Sequence, residues 1–146
     1  MHNRHLLAPV RAGLVTGAAT AGAIVGFGIG QGAPLGAFLR FGTALLGPLA
    51  TRMLSEAAVL AGVVGHLAWM AVWGAGLFLV TRRYRPSVVL AVAVLMVTLV
   101  TWSSRTLLPA ALGAVRYASL DGLQVALAAG VMALAMAGAS AMVREG

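Results

Sequence analysis

Long runs without charged residues alternate with short polar segments along this chain of 146 residues. Four runs are long enough to cross a bilayer as helices, which takes roughly 17–25 residues each. None of them alternates apolar and polar residues as a membrane β-strand does. Since lipid offers backbone groups no water to bond, each run is predicted to be a transmembrane helix. The four cover about residues 12–30, 56–81, 86–104 and 120–143.

The residues at the ends of these runs agree with helix boundaries. Pro9 and Arg11 precede the first run. Ser55 and Glu56 fit an N-cap and a first-turn acid for the second. Pro86 stands at a favourable first-turn position of the third.

The two connections on the other side of the membrane from the chain ends are also apolar at helical spacing. Residues 35–49 predict a short helix that lies on or dips into the outer interface, ended by Gly47–Pro48. A second such face is formed by Leu108, Ala111, Leu112 and Val115. The predicted fold class is therefore all-α: an integral membrane four-helix transmembrane bundle with one or two short interfacial helices, in one domain of residues 1–146.

Composition supports a membrane location. Apolar residues make up 61% of the chain and charged residues 9%, against about 25% charged residues in soluble domains. The net charge of +7 results from ten arginines and three acidic residues, and the arginines stand singly or in short groups between the apolar runs. That placement is typical of membrane flanks, so lipids and not nucleic acid are the expected partners. The absence of cysteine excludes disulfides and thiolate metal sites.

The arginines also predict an orientation. Six of them fall on the side of the two termini and four on the other side, and the densest group is Arg82, Arg83 and Arg85 in the short second-to-third loop. By the positive-inside rule, both termini are expected in the cytoplasm. The use of Arg without Lys, with abundant Ala, Gly and Val, favours a bacterial cytoplasmic membrane.

Small residues recur every four positions in the first and fourth runs. Such spacing lets two helices approach closely, which predicts interfaces with helices of this chain or of a partner. In the first run these residues are Gly13 and Gly17, then Gly22, Gly26 and Gly30. In the fourth run they form two stripes, Gly122, Ala126 and Gly130 on one and Ala129, Ala133 and Ala137 on the other.

The second run holds an ionisable residue deep in the bilayer. His66 shares a narrow stripe with Gly62, Trp69 and Trp73 at about 100° per residue. One interpretation is a site for haem or another ring cofactor at His66, Trp69 and Trp73. The other is a histidine bonded to a backbone carbonyl or a threonine across the bundle, which the lack of a second intramembrane histidine favours. No metal site and no catalytic residue are predicted.

A wider outline joins the glycine-rich first run, Gly13 to Gly30, to a central His66 followed by Gly74, and to an outer loop with Leu107-Leu108-Pro109. In this it resembles uncharacterised small four-helix bacterial membrane proteins. The resemblance implies the four-helix fold and no activity.

The functional expectation rests on many helix-contact surfaces and little polar chemistry. The only carboxylates in the four runs, Glu56 and Asp121, stand at the predicted helix starts, so none lies deep in a span, which argues against a proton-coupled antiporter. The chain is therefore expected to be a non-catalytic accessory subunit of a larger membrane complex. The alternatives are a small homo-oligomeric transporter or channel, lined by His66, Thr16, Thr20 and Thr98, and a carrier of a ring cofactor at His66.

Overall fold

The computed structural model describes residues 4–52, 54–81, 83–106 and 122–145. These residues form five α-helices and one 3-10 helix, so the all-α class is confirmed for the described part of the chain. In order they are α1 (Arg4–Gly30), α2 (Gly36–Leu46), the 3-10 helix (Gly47–Arg52), α3 (Ser55–Thr81), α4 (Pro86–Thr106) and α5 (Gly122–Glu145).

Three helices in this described part are long and apolar enough to cross a membrane. They are Leu7–Gly30, Ser55–Thr81 and Gly122–Met142, which indicates a multi-pass membrane protein. The predicted third span also forms a helix, but its apolar part, Ser87–Leu99, is shorter than the other three. The count of four spans is therefore not confirmed.

The first helix begins earlier than its apolar run suggested. Pro9 lies inside α1, which starts at Arg4, and the apolar span starts at Leu7. Proline lacks the N–H that would bond the carbonyl four residues back. Pro9 is the sixth residue of α1, so the helix lacks one bond, to the carbonyl oxygen of residue 5, and continues on the bonds of the residues around it. Pro9 was thus wrong as a boundary marker.

The helix predicted between the first two spans is present as α2. It ends where Gly47 takes a left-handed backbone conformation with φ of +55°, which glycine adopts without steric cost. The second predicted interfacial helix, with Leu108 and Val115, lies outside the described residues, as do Arg82 and Asp121.

The start of α3 differs slightly from the expectation. Ser55 is its first helical residue, and the first backbone acceptor is Leu54, whose carbonyl oxygen accepts from Ala57 N at 3.1 Å. The Ser55 hydroxyl donates to the Glu56 carboxylate at 3.3 Å. The residue at the N-cap is therefore Leu54, one position before the predicted Ser55, while Glu56 does lie in the first turn.

Helix α3 lies at the centre of the fold. It packs against α1 and, through its first half, against α2, and α1 also packs on α5. Further along α3, Met70 and Leu77 join apolar residues of α4 and α5 in one buried cluster. The remaining members of that cluster are Ala93, Val97, Met132, Ala133 and Met136. The Ala129, Ala133 and Ala137 stripe of α5 therefore faces this core.

Candidate functional site

The buried face of α3 is a single stripe at helical spacing. It consists of Ala58, Gly62, His66, Met70, Gly74, Leu77 and Thr81. Steps of three or four residues keep these positions on one side of a helix. Small residues therefore bracket His66 on the same face, and they allow neighbouring helices to come close to it.

The crossing of α1 and α3 is built on glycine. A Cβ added at Gly13 would lie 2.6 Å from the Ala71 carbonyl oxygen, and one at Gly74 would lie against the Gly13 backbone. Gly17, one turn further along α1, faces Leu67 and Met70. Because rising positions of α1 meet falling positions of α3, the two helices run antiparallel. The structure thus places Gly13 and Gly17, two of the predicted packing residues, at a contact within this chain.

A second glycine crossing joins α2 to α3. A Cβ at Gly42 would overlap the Ala58 carbonyl oxygen, and one at Gly62 would overlap the Phe38 carbonyl oxygen. The sequence showed both glycines on apolar helical faces but did not pair them, because periodicity identifies a face and not its partner. This contact fixes α2 against the first half of α3.

His66 lies where these two crossings meet. Its side chain is 3% exposed, and its Nε2 is 3.0 Å from the Thr20 hydroxyl and 3.3 Å from the Gly17 carbonyl oxygen, both on α1. The Phe38 ring of α2 meets the imidazole edge to face, with centroids 5.6 Å apart. One side chain therefore contacts both helices that pack on this half of α3.

The geometry fits a two-step hydrogen-bond chain from His66 to the backbone of α1, with a separate bond at Thr16. A His66 Nε2–H would donate to Thr20 Oγ1, and the Thr20 hydroxyl would in turn donate to the Thr16 carbonyl oxygen at 2.9 Å. The Thr16 hydroxyl donates to the Ala12 carbonyl oxygen at 2.8 Å. The second interpretation of His66 was a bond to a threonine or a backbone carbonyl across the bundle, and Thr20 and Gly17 of α1 provide these contacts. A ring cofactor there stays a prediction, and ligation through Nε2 would require that nitrogen to leave Thr20 and Gly17.

Trp69 and Trp73 are partly buried and pack against the cluster that α3 shares with α4 and α5. Their rings meet each other edge to face, with centroids 5.8 Å apart. Among the described residues, the buried atoms Trp73 Nε1 and Ser140 Oγ have no hydrogen-bond partner. An unpaired buried donor costs about 1–3 kcal/mol, so neither atom stabilises the bundle through its polar group.

The second half of α1 presents the remaining small residues differently. Gly22, Gly26 and Gly30 are exposed, and a Cβ added at any of them would meet nothing within 4 Å. On α5, the same holds for Gly122 and Gly130, and Ala126 between them is exposed as well. These six residues are called the open small-residue faces below. None of them serves a contact within the described part of the chain.

The residues expected to line the path of a transporter or channel do not form one face. Thr16 and Thr20 are buried against α3, whereas Thr98 is exposed on α4 and bonds the Val94 carbonyl oxygen of its own helix. Within the described residues, no three His, Cys, Asp or Glu side chains group together to hold a metal ion. Arg83 and Arg85 are exposed in the turn between α3 and α4, which is the short loop in which the sequence predicted them.

Comparison with protein-family models, with curated proteins and with solved structures finds no match to this chain. The functional argument therefore rests on the geometry of these residues.

Proposed function

We propose that this protein is a non-catalytic accessory subunit of a larger membrane complex, to which it binds through the open small-residue faces of α1 and α5. The observation that carries the proposal is that Gly22, Gly26 and Gly30 are exposed, whereas Gly13 and Gly17 of the same helix pack against α3. Within lipid, helices associate by close backbone packing and not by hydrophobic burial, and small residues permit that packing.

The two open faces lie at the same end of the bundle. The Gln31 amide nitrogen donates to the Gln124 side-chain oxygen at 3.2 Å, which brings the end of α1 beside the beginning of α5. Gly30 directly precedes Gln31, and Gly122 lies two residues before Gln124. A single partner helix, or a pair of them, could therefore contact both faces together.

The chain itself shows what such a face does when a partner is present. At Gly13 and Gly74, the missing side chains bring two helix backbones into direct contact. The open faces have the same spacing on the same and a neighbouring helix, and they lack the second backbone. This supports a partner helix as the missing component.

The test is the native mass of the complex extracted from its own membrane in a mild detergent, compared between wild type and Gly26→Leu. The substitution adds bulk where the fold has room, so the protein should remain folded and lose its partners. Ala91→Leu is the matched control, because Ala91 is exposed on α4 away from both faces. We expect a heteromeric particle for wild type and Ala91→Leu, and a smaller particle for Gly26→Leu.

Two outcomes would count against an accessory role. If Gly26→Leu purifies with the same partners as wild type, the open face of α1 does not bind them. If wild type itself runs as a homo-oligomer and carries flux in liposomes that His66→Leu abolishes, transport replaces assembly as the function.

The same proposal includes four membrane crossings with both termini in the cytoplasm of a bacterial cell. Its support is the Gln31–Gln124 contact, because α5 then begins at the end of the bundle opposite to Thr81, where α3 stops. The chain must return between them, and the 21 residues of α4 extend for about 31 Å as a helix. That length matches the hydrocarbon core.

Single cysteines can test this topology, because the chain has no native cysteine. Ser87→Cys and Glu145→Cys should react with a membrane-impermeant maleimide from the same side, and Thr51→Cys from the opposite side. Labelling of Glu145→Cys together with Thr51→Cys would instead mean that α4 does not cross. Labelling of Ser87→Cys from outside intact cells would reverse the orientation.

A further inference from the structure

A concave site of about 490 Å³ lies where α3 ends and the chain turns towards α4. Its described lining is Leu79, Val80, Arg83 and Tyr84. The turn is held by the Tyr84 backbone N–H, which donates to the Thr81 carbonyl oxygen at 2.9 Å. Two aliphatic side chains at the end of a membrane helix are thus directly followed by a cation and an aromatic ring.

The charge at this site favours an anionic ligand. Arg83 and Arg85 are exposed, and in the part of the chain that the structure describes neither forms an ion pair with an acid. Of the three acids in the sequence, Glu56 begins α3 at its opposite end and Asp121 precedes α5. Glu145, at the end of α5, adjoins Arg144. Arginine therefore outnumbers acid at this end of the bundle.

The position of the site in the membrane favours a lipid as the source of that anion. Leu79 and Val80 are 55% and 61% exposed on the last turn of an apolar span, so they face acyl chains. Arg83 and Tyr84 follow at the depth where headgroups begin, and tyrosine is enriched at that level. The planar arginine fork donates two parallel N–H bonds to phosphate oxygens.

From this arrangement we propose that the end of α3 binds one anionic glycerophospholipid. Arg83 donates to the phosphodiester, Arg85 adds attraction to the headgroup, and an acyl chain lies along Leu79 and Val80. This site is separate from the open small-residue faces, since Gly22, Gly26 and Gly30 lie towards the other end of the bundle.

The test is native mass spectrometry of the purified protein released from nanodiscs that contain equal amounts of phosphatidylglycerol and phosphatidylcholine. Wild type should retain phosphatidylglycerol in preference to phosphatidylcholine. Arg83→Gln should reduce that preference about fivefold, the effect of one basic residue near a membrane surface. Arg52→Gln is the matched control, because Arg52 is also exposed but lies near the opposite end of α3.

Three further measurements separate the proposal from its competitors. Arg83→Lys should retain more preference than Arg83→Gln, which shows that the loss is one of charge and not of folding. Val80→Asn should reduce retention of both lipids, since it changes the acyl contact. Displacement of the bound lipid by millimolar inorganic phosphate would mean that the site takes a free anion and would overturn the proposal, as would equal losses in Arg52→Gln and Arg83→Gln.

Discussion

The two halves of α1 carry the same glycine spacing and use it in opposite ways. In the first half, Gly13 and Gly17 lie against α3, and Thr16 and Thr20 between and beyond them are buried. In the second half, Gly22, Gly26 and Gly30 are exposed, and a Cβ added at any of them would meet nothing within 4 Å. The difference comes from where the facing helix offers small residues of its own.

This comparison shows that a small-residue motif brings two helices into close contact only where the facing helix also has small residues. At Gly13 the facing residues are Ala71 and Gly74 of α3, so both backbones can approach. Further along, the neighbour of Thr20 is His66, whose imidazole fills the space between the helices. The second half of α1 therefore keeps its glycines without a backbone beside them, and this is the basis for expecting a partner there.

The largest expected effect comes from Gly13→Leu. A side chain at this position would enter the Ala71 backbone, which cannot move aside as a flexible side chain could. We expect a loss of about 3 kcal/mol or more of unfolding free energy, at the upper end of overpacking costs. Denaturant unfolding in detergent would measure it.

Gly22→Leu is the matched control for Gly13→Leu. It is the same substitution on the same helix, and a Cβ at Gly22 has open space. Its unfolding free energy should not fall below that of wild type and should rise by up to about 0.8 kcal/mol, since leucine is a better helix former than glycine. Equal destabilisation by the two variants would show that the halves of α1 do not differ.

A smaller effect is expected at the boundary between the halves, where Thr20 meets His66. A double-mutant cycle with Thr20→Val and His66→Leu should give a coupling free energy of about 0.6–1.7 kcal/mol, the range for hydrogen bonds between membrane helices. The coupling is modest because the Thr20 hydroxyl keeps its bond to the Thr16 carbonyl oxygen when His66 is removed.

The absorption spectrum of the same samples provides a second measurement at His66. A coupling near zero, together with a visible band that disappears in His66→Leu, would favour the ring cofactor over the structural bond. Coupling without any band would leave His66 as a contact between α1 and α3.

The sequence predicted the helices well because each is encoded locally. Uncharged length identified the three long spans, and Gly47 correctly ended α2. The sequence also placed Gly62 and His66 on one helical face, which is the buried face of α3, but that face continues with Met70 and Gly74 and not with the two tryptophans. Pro9 was misleading because it removes a single intrahelical bond, and α1 continues through it.

What the sequence could not provide is the pairing of faces. The contact of Gly42 with Gly62 depends on how α2 folds back on α3, and nothing in either segment alone specifies that. Likewise, Gly17 and Gly26 look alike along the chain, and only the packed helices distinguish them. The use of each glycine is a property of the tertiary fold, whereas its spacing is a property of the sequence.

The smallest expected effect is also the most specific to the comparison, and it comes from Gly26→Ala. Glycine costs a helix interior up to about 1 kcal/mol relative to alanine, and Cβ space at Gly26 is open. The isolated protein should therefore gain about 0.5–1 kcal/mol of unfolding free energy. Gly17→Ala should gain less, because its Cβ would lie 3.0 Å from Leu67 and 3.2 Å from Met70. In the native complex the two variants should differ in assembly. A methyl group on the open face keeps a partner helix at a distance, so Gly26→Ala should weaken assembly and Gly17→Ala should not. Stabilisation of the isolated protein without any loss of assembly would mean that the glycines of the second half are not kept for a partner.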